Sequence, residues 1–123
     1  MQIVGLICIV LSVVVHVYIW ILESFLWTKL GTRKTFGISE HEAMITKPLA
    51  YNQGFYNLFL AIITICGVGL YMTNRNMGDV LIVAGSGSMV LAGVVLLLSD
   101  RTKLRPAFVQ IIPPSLGLLL LFI

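Results

Sequence analysis

Four stretches of the chain are apolar almost without interruption, and charge collects between them. No residue from Gln2 to Leu22 carries a formal charge, and His16 is the one imidazole in that run. Residues 48–71, 80–99 and 106–123 carry no charge either. About 20 apolar residues cross a hydrocarbon core of roughly 30 Å, so each stretch predicts a transmembrane helix. The expected helices run over about 3–27, 48–71, 79–98 and 106–123. The pattern predicts an all-α integral membrane four-helix bundle, one domain over residues 1–123.

Composition agrees and removes the soluble alternative. The 123 residues are 59% hydrophobic and only 11% charged, against about a quarter charged in ordinary soluble domains. The first stretch resembles a secretion signal only superficially. It lacks a positive leader, is too long, and precedes no small-x-small cleavage site, so it is expected to stay as a span. Cys8 and Cys66 sit inside apolar runs and read as small buried hydrophobes.

The net charge of +3 raises nucleic acid as a partner. Its placement argues against that reading. Lys29, Arg33, Lys34 and Lys47 occupy the first loop, Arg75 the second, and Arg101, Lys103 and Arg105 the third. Basic residues beside spans are topology determinants. They predict cytoplasmic first and third loops and both termini outside.

The long first loop contains "SEHE", residues 39–42, in which Ser39 and Glu42 match a capping box. A short interfacial helix through about Thr46 is expected, with Pro48 opening the second span, where its missing N–H costs nothing. That placement makes Asn52, Gln53 and Asn57 of "NQGFYN" helical residues. In the third span, Ala84, Ser88 and Ala92 recur every four residues, as do Gly85, Met89 and Gly93. Such faces let helices approach closely, within the bundle or between subunits, so a homo-oligomer is expected. Pro113 and Pro114 leave the carbonyls of Val109 and Gln110 without their usual helical donors.

Depth counting locates the candidate chemistry. At about 1.5 Å per residue, His16 lies near the midplane and Glu23 about 10 Å nearer the cytoplasm. Asn52, Gln53 and Asn57 enter with the second span, and Arg105 and Gln110 with the fourth. Glu23 and these five therefore occupy one slab, the cytoplasmic half of the bilayer. Ionisable residues inside spans mark functional sites by default. The expected roles are Glu23 as general acid/base, backed by His16, with Asn52, Gln53, Tyr56, Asn57, Arg105 and Gln110 binding substrate.

Each of these residues also has a structural reading. Glu23 can pair with Lys29 or Arg105, His16 can bond a carbonyl or Ser12, and the amides can be interhelical glue. No His-x-x-x-His, no acidic pair in a span and no activated serine or cysteine is present, so no metal is expected and no cofactor is specified.

The combination of His16 and Glu23 in one span, then "NQGFYN", then Arg105 and Gln110-x-x-Pro113, resembles domain-of-unknown-function family 1304. That resemblance implies a small four-helix integral membrane protein and carries no activity. A looser similarity of layout is to the MAPEG superfamily of membrane glutathione enzymes, which assemble as trimers. In place of their arginine-rich Asn-x-x-Glu run, this chain has "NQGFYN".

The expected function is binding or transformation of a lipophilic small molecule, by isomerisation or group transfer, with the bilayer as the other partner. The alternatives are an oligomeric transporter or channel using Glu23 and His16 as a relay, and a structural membrane protein without a site.

Overall fold

The computed structural model describes all 123 residues, and its backbone is helical with no strand. Helix α1 spans Gln2–Ser24, α2 Leu30–Phe36, α3 Glu40–Leu70, α4 Arg75–Ser99 and α5 Leu104–Phe122. A 3₁₀ turn, Arg101–Lys103, joins α4 to α5. Helices α1, α3, α4 and α5 are each long and apolar enough to cross a membrane.

The four long helices form an up-down-up-down square. Helix α1 packs along α3 and α5, α4 packs along the same two, and the diagonals barely touch. The square has an apolar exterior and an interior that mixes apolar residues such as Ile9, Ile82 and Leu121 with polar ones. Buried polar residues include Ser12, His16, Glu23, Asn57, Thr64, Ser86 and Gln110, while Ile3, Leu11, Tyr18, Ile62, Leu91 and Leu119 are exposed. An apolar exterior is what a hydrocarbon solvent requires, and a polar axis is stable only where its groups find partners inside.

Small residues set the helix spacing. A Cβ on Gly54 would lie 2.2 Å from Ser24 Oγ and 3.1 Å from the Trp20 carbonyl oxygen. A Cβ on Gly85 would meet Thr64 Oγ1 at 2.1 Å. Helices α1 and α3, and α3 and α4, therefore cross where only hydrogen fits. The two stripes expected in the third span separate: Gly85, Met89 and Gly93 are buried in the bundle, and Ala84, Ser88 and Ala92 are exposed, Ala92 at the edge of a concavity shared with α1 and α3.

Two elements differ from the sequence expectation. The capping box forms as expected, Ser39 Oγ accepting from Glu42 N at 3.1 Å and Glu42 Oε2 from Ser39 N at 2.7 Å. The helix it starts does not stop near Thr46, but runs through Pro48 to Leu70 as a single element. Lys47 offers no capping oxygen to begin a second helix. Pro48 forfeits one bond, to a carbonyl of Met44, which is exposed and open to solvent. At about 46 Å, the 31-residue α3 exceeds a roughly 30 Å hydrocarbon core, so its first turns project beyond it.

The other difference is α2, a seven-residue amphipathic helix in the first loop. It buries Thr32 and Phe36, and ends on Gly37 in the left-handed region at φ 64°. A side chain there would be strained, and glycine is the usual stop. Lys103 Nζ donates to the Phe36 carbonyl oxygen at the end of α2, tying the α4–α5 turn to the first loop. A lysine at a helix C-terminus also complements the dipole.

Candidate functional site

The first loop and the α4–α5 turn close one end of the square, and the polar residues of α1, α3 and α5 gather beneath them. Glu23 lies on the buried face of α1 because Gly5, Ile9, Ser12, His16, Ile19 and Glu23 recur at helical spacing. Asn57 lies on the buried face of α3 with Ala50, Gly54, Ala61 and Thr64. The antiparallel register set by Gly54 against Ser24 brings the two together. Asn57 Nδ2 donates to Glu23 Oε2 at 2.8 Å, and its second contact is the Gln53 carbonyl oxygen at 3.2 Å.

No cation answers the Glu23 carboxyl. The sole ion pair in the protein joins Arg75 to Asp79 at the far end, with the Arg75 guanidinium 4.0 Å above the Tyr71 ring. The pairing of Glu23 with Lys29 or Arg105 raised by the sequence is therefore not made.

Two concavities meet at Glu23. One, about 600 Å³, runs inward beneath the loops and is lined by Glu23, Gln53, Asn57 and Gln110 together with Trp27, Thr46 and Lys103. The other, about 480 Å³, opens sideways and is lined by Glu23, Asn52, Gln53 and Tyr56 with Trp27 and Leu49. Trp27 and Thr46 border both, and their side chains are bonded, Nε1 to Oγ1 at 3.0 Å.

Five of the other seven candidate residues thus lie around Glu23, though not as one wall. Asn57 and Gln110 are buried, Gln53 is exposed at the seam between the concavities, and Asn52 and Tyr56 face outward. Arg105 stands apart. It lines a third groove, of about 350 Å³, between α1, α2 and α5, with Lys34 beside it and Gln110 on the shared edge.

His16 also stands apart, two helical turns and about 10 Å along α1 from Glu23. It is fully buried. Its Nδ1 lies 2.9 Å from the Ser12 carbonyl oxygen, while Nε2 has no partner. Ser86 Oγ on α4 is likewise buried and unpartnered. The polar axis therefore continues past Glu23 through His16, Ser12, Thr64 and Ser86, all without exposure.

The family described as protein of unknown function (DUF1304) matches residues 10–122. The chain belongs to this family. Its match takes in all eight candidate residues. No curated protein and no solved structure matches the chain.

Sequence reasoning missed the residues that roof the site. Trp27 belongs to the turn after α1 rather than to its last turn, and Phe36, Gly37 and Thr46 come from the first loop and the start of α3. Only one signal pointed to them. "TFG", with glycine directly after an aromatic residue, is a helix stop, and it implies a short helix before it.

Proposed function

We propose that the protein binds a lipophilic small molecule beside Glu23, entering from the cytoplasmic leaflet, and acts on it by proton transfer in an isomerisation or group-transfer reaction. The observation that carries this reading is the Glu23 carboxyl itself, buried, held by a single amide and unanswered by any cation, at the junction of two concavities. A buried ionisable group in a span is costly, so one without a counter-ion marks a functional site by default. Both concavities fall within the roughly 300–1,000 Å³ of small-molecule sites.

In this reading Glu23 is the general acid/base. Asn57, Gln53 and Gln110 orient the polar end of the ligand by amide hydrogen bonds, and the Leu49 and Tyr56 side of the lateral opening admits its apolar part. Asn52 lies at that entrance. The cytoplasmic assignment rests on seven of the eight basic residues flanking this end of the bundle. Self-association along the exposed Ala84 and Ser88 of α4 belongs to the same proposal, since small residues allow close helix contact.

The test is extraction of the purified protein with organic solvent and mass spectrometry of what it carries. Wild type should retain a lipophilic compound that Glu23→Gln and Asn57→Leu lose while keeping the fold. An identical extract from all three proteins would overturn the reading.

A second reading is supported by the unpartnered His16 Nε2 and Ser86 Oγ on the axis beyond Glu23. Buried polar groups of this kind recruit internal water, and a hydrated axis suits a proton path. Proton flux in proteoliposomes that disappears in both Glu23→Gln and His16→Leu would favour transport over ligand chemistry.

A further inference from the structure

The groove holding Arg105 has a chemistry of its own. Val15, Ile19 and Leu22 of α1 and Val109 of α5 form an apolar floor, and Lys34 and Arg105 stand at its mouth. Both cations are exposed, neither is in an ion pair, and no carboxylate lines the groove. The concavity below Glu23 is different: Glu23, Glu42 and Asp100 line it beside Lys103.

The groove is also directional. From Leu22 to Val15 the floor descends about 10 Å along α1, away from the charged end and into the apolar span. Tyr18 lies along it, 57% exposed, and buried Phe36 closes it beneath α2. A headgroup-to-tail gradient of this kind fits an amphiphile whose charge is negative. Cations at a membrane surface attract anionic lipid in general. An apolar groove running down from two of them adds a place for one chain to lie.

We propose that this groove binds one anionic phospholipid of the surrounding bilayer, its phosphate between Lys34 and Arg105 and one acyl chain against Val15, Ile19 and Val109. A zwitterionic lipid offers the same tail, but the groove has no acid to meet its cationic group. A soluble phosphate offers the same charge, but leaves the floor empty. The groove adjoins the Glu23 concavity at Phe36 and Gln110, but its cations and apolar floor lie outside it, and the proposal does not depend on the ligand proposed there.

Native mass spectrometry of the full chain in detergent, with equal phosphatidylglycerol and phosphatidylcholine, tests the assignment. Wild type should retain phosphatidylglycerol over phosphatidylcholine by on the order of tenfold, from two cations each contributing to headgroup attraction. The double variant Lys34→Gln/Arg105→Gln should lose that preference, and Val109→Trp should expel the lipid while both cations remain. Lys29→Gln/Lys47→Gln removes equal charge from the same end, outside the groove, and should keep the preference. Equal retention of the two lipids by wild type, or equal loss in the control variant, would overturn the proposal. So would displacement of the lipid by glycerol phosphate at matching concentration, which would assign the cations to a soluble anion.

Discussion

Asn57 on α3 donates a 2.8 Å hydrogen bond to the Glu23 carboxylate on α1, and it is the only side chain that does so. The bond crosses a close contact between α1 and α3, one turn from the place where Gly54 meets Ser24. Replacing Asn57 with alanine leaves a buried carboxyl without a donor. The expected cost is about 1–3 kcal/mol, read as a lowered thermal midpoint in detergent. Glu23→Gln removes the charge but keeps a side-chain carbonyl that accepts from Asn57, so it should cost less. A larger loss for Glu23→Gln than for Asn57→Ala would show that the charge, rather than the hydrogen bond, holds the contact.

The glycine of "NQG" is a spacing residue. Gly54→Ala places a methyl 2.2 Å from Ser24 Oγ, displacing the hydroxyl from its 2.9 Å bond to the Tyr51 carbonyl oxygen. Overpacking of this kind costs about 1–3 kcal/mol. Combining it with Ser24→Ala removes the clashing atom and should recover part of the loss. Gly69→Ala is the control: nothing lies within 4 Å of its Cβ. It should be neutral, or stabilising by up to about 1 kcal/mol through helix propensity. Chemical unfolding of the three variants and the wild type in one detergent decides the matter.

The capping box should act locally. Ser39→Ala removes the oxygen that accepts from Glu42 N, at a cost of about 0.5–2 kcal/mol to the first turns of α3. Because Thr46 at the end of that segment holds Trp27, hydrogen exchange should rise from Glu42 to Thr46 and leave the span below Pro48 protected. Ser39→Asp should retain protection. Uniform exchange along α3 would contradict a local role.

The α4–α5 turn should respond to acid. The Thr102 hydroxyl and backbone N–H both donate to the Asp100 carboxylate and hold its pKa below the ordinary 3.8. A depressed folded value means that the stabilisation is fully present above 3.8 and is lost as pH falls through the lower folded value. Exchange of the Thr102 amide, corrected for its intrinsic rate, should therefore accelerate below that pH. In Asp100→Asn the acid-dependent step should vanish. An unchanged step in that variant would assign it to another group.

The spans were readable because a hydrocarbon solvent demands long uncharged runs, and residues 2–22 and 80–99 leave no other reading. The Ser39–Glu42 cap was readable because its donors and acceptors are local. The meeting of Glu23 with Asn57 was partly readable, since antiparallel helices of known rise put both at one depth.

Depth, however, gives height and not azimuth. Arg105 shares the height of Glu23, yet opens on another side of α1, because the rotation of α5 is set by Gly93 against Ile111 and Gly117 against Ile9. Such contacts are long-range and leave no local pattern. Helix α2 was missed for the opposite reason: seven residues are too few for a period to stand out.

The central proposal is that the space around Glu23 holds a lipophilic molecule, and a high-resolution structure of the protein purified in mild detergent tests it most directly. Elongated density in the lateral or axial concavity, its polar end within hydrogen-bond distance of Glu23 or Asn57 and absent from Glu23→Gln, is the expected result. Concavities holding only ordered water, identical in wild type and Glu23→Gln, would contradict it.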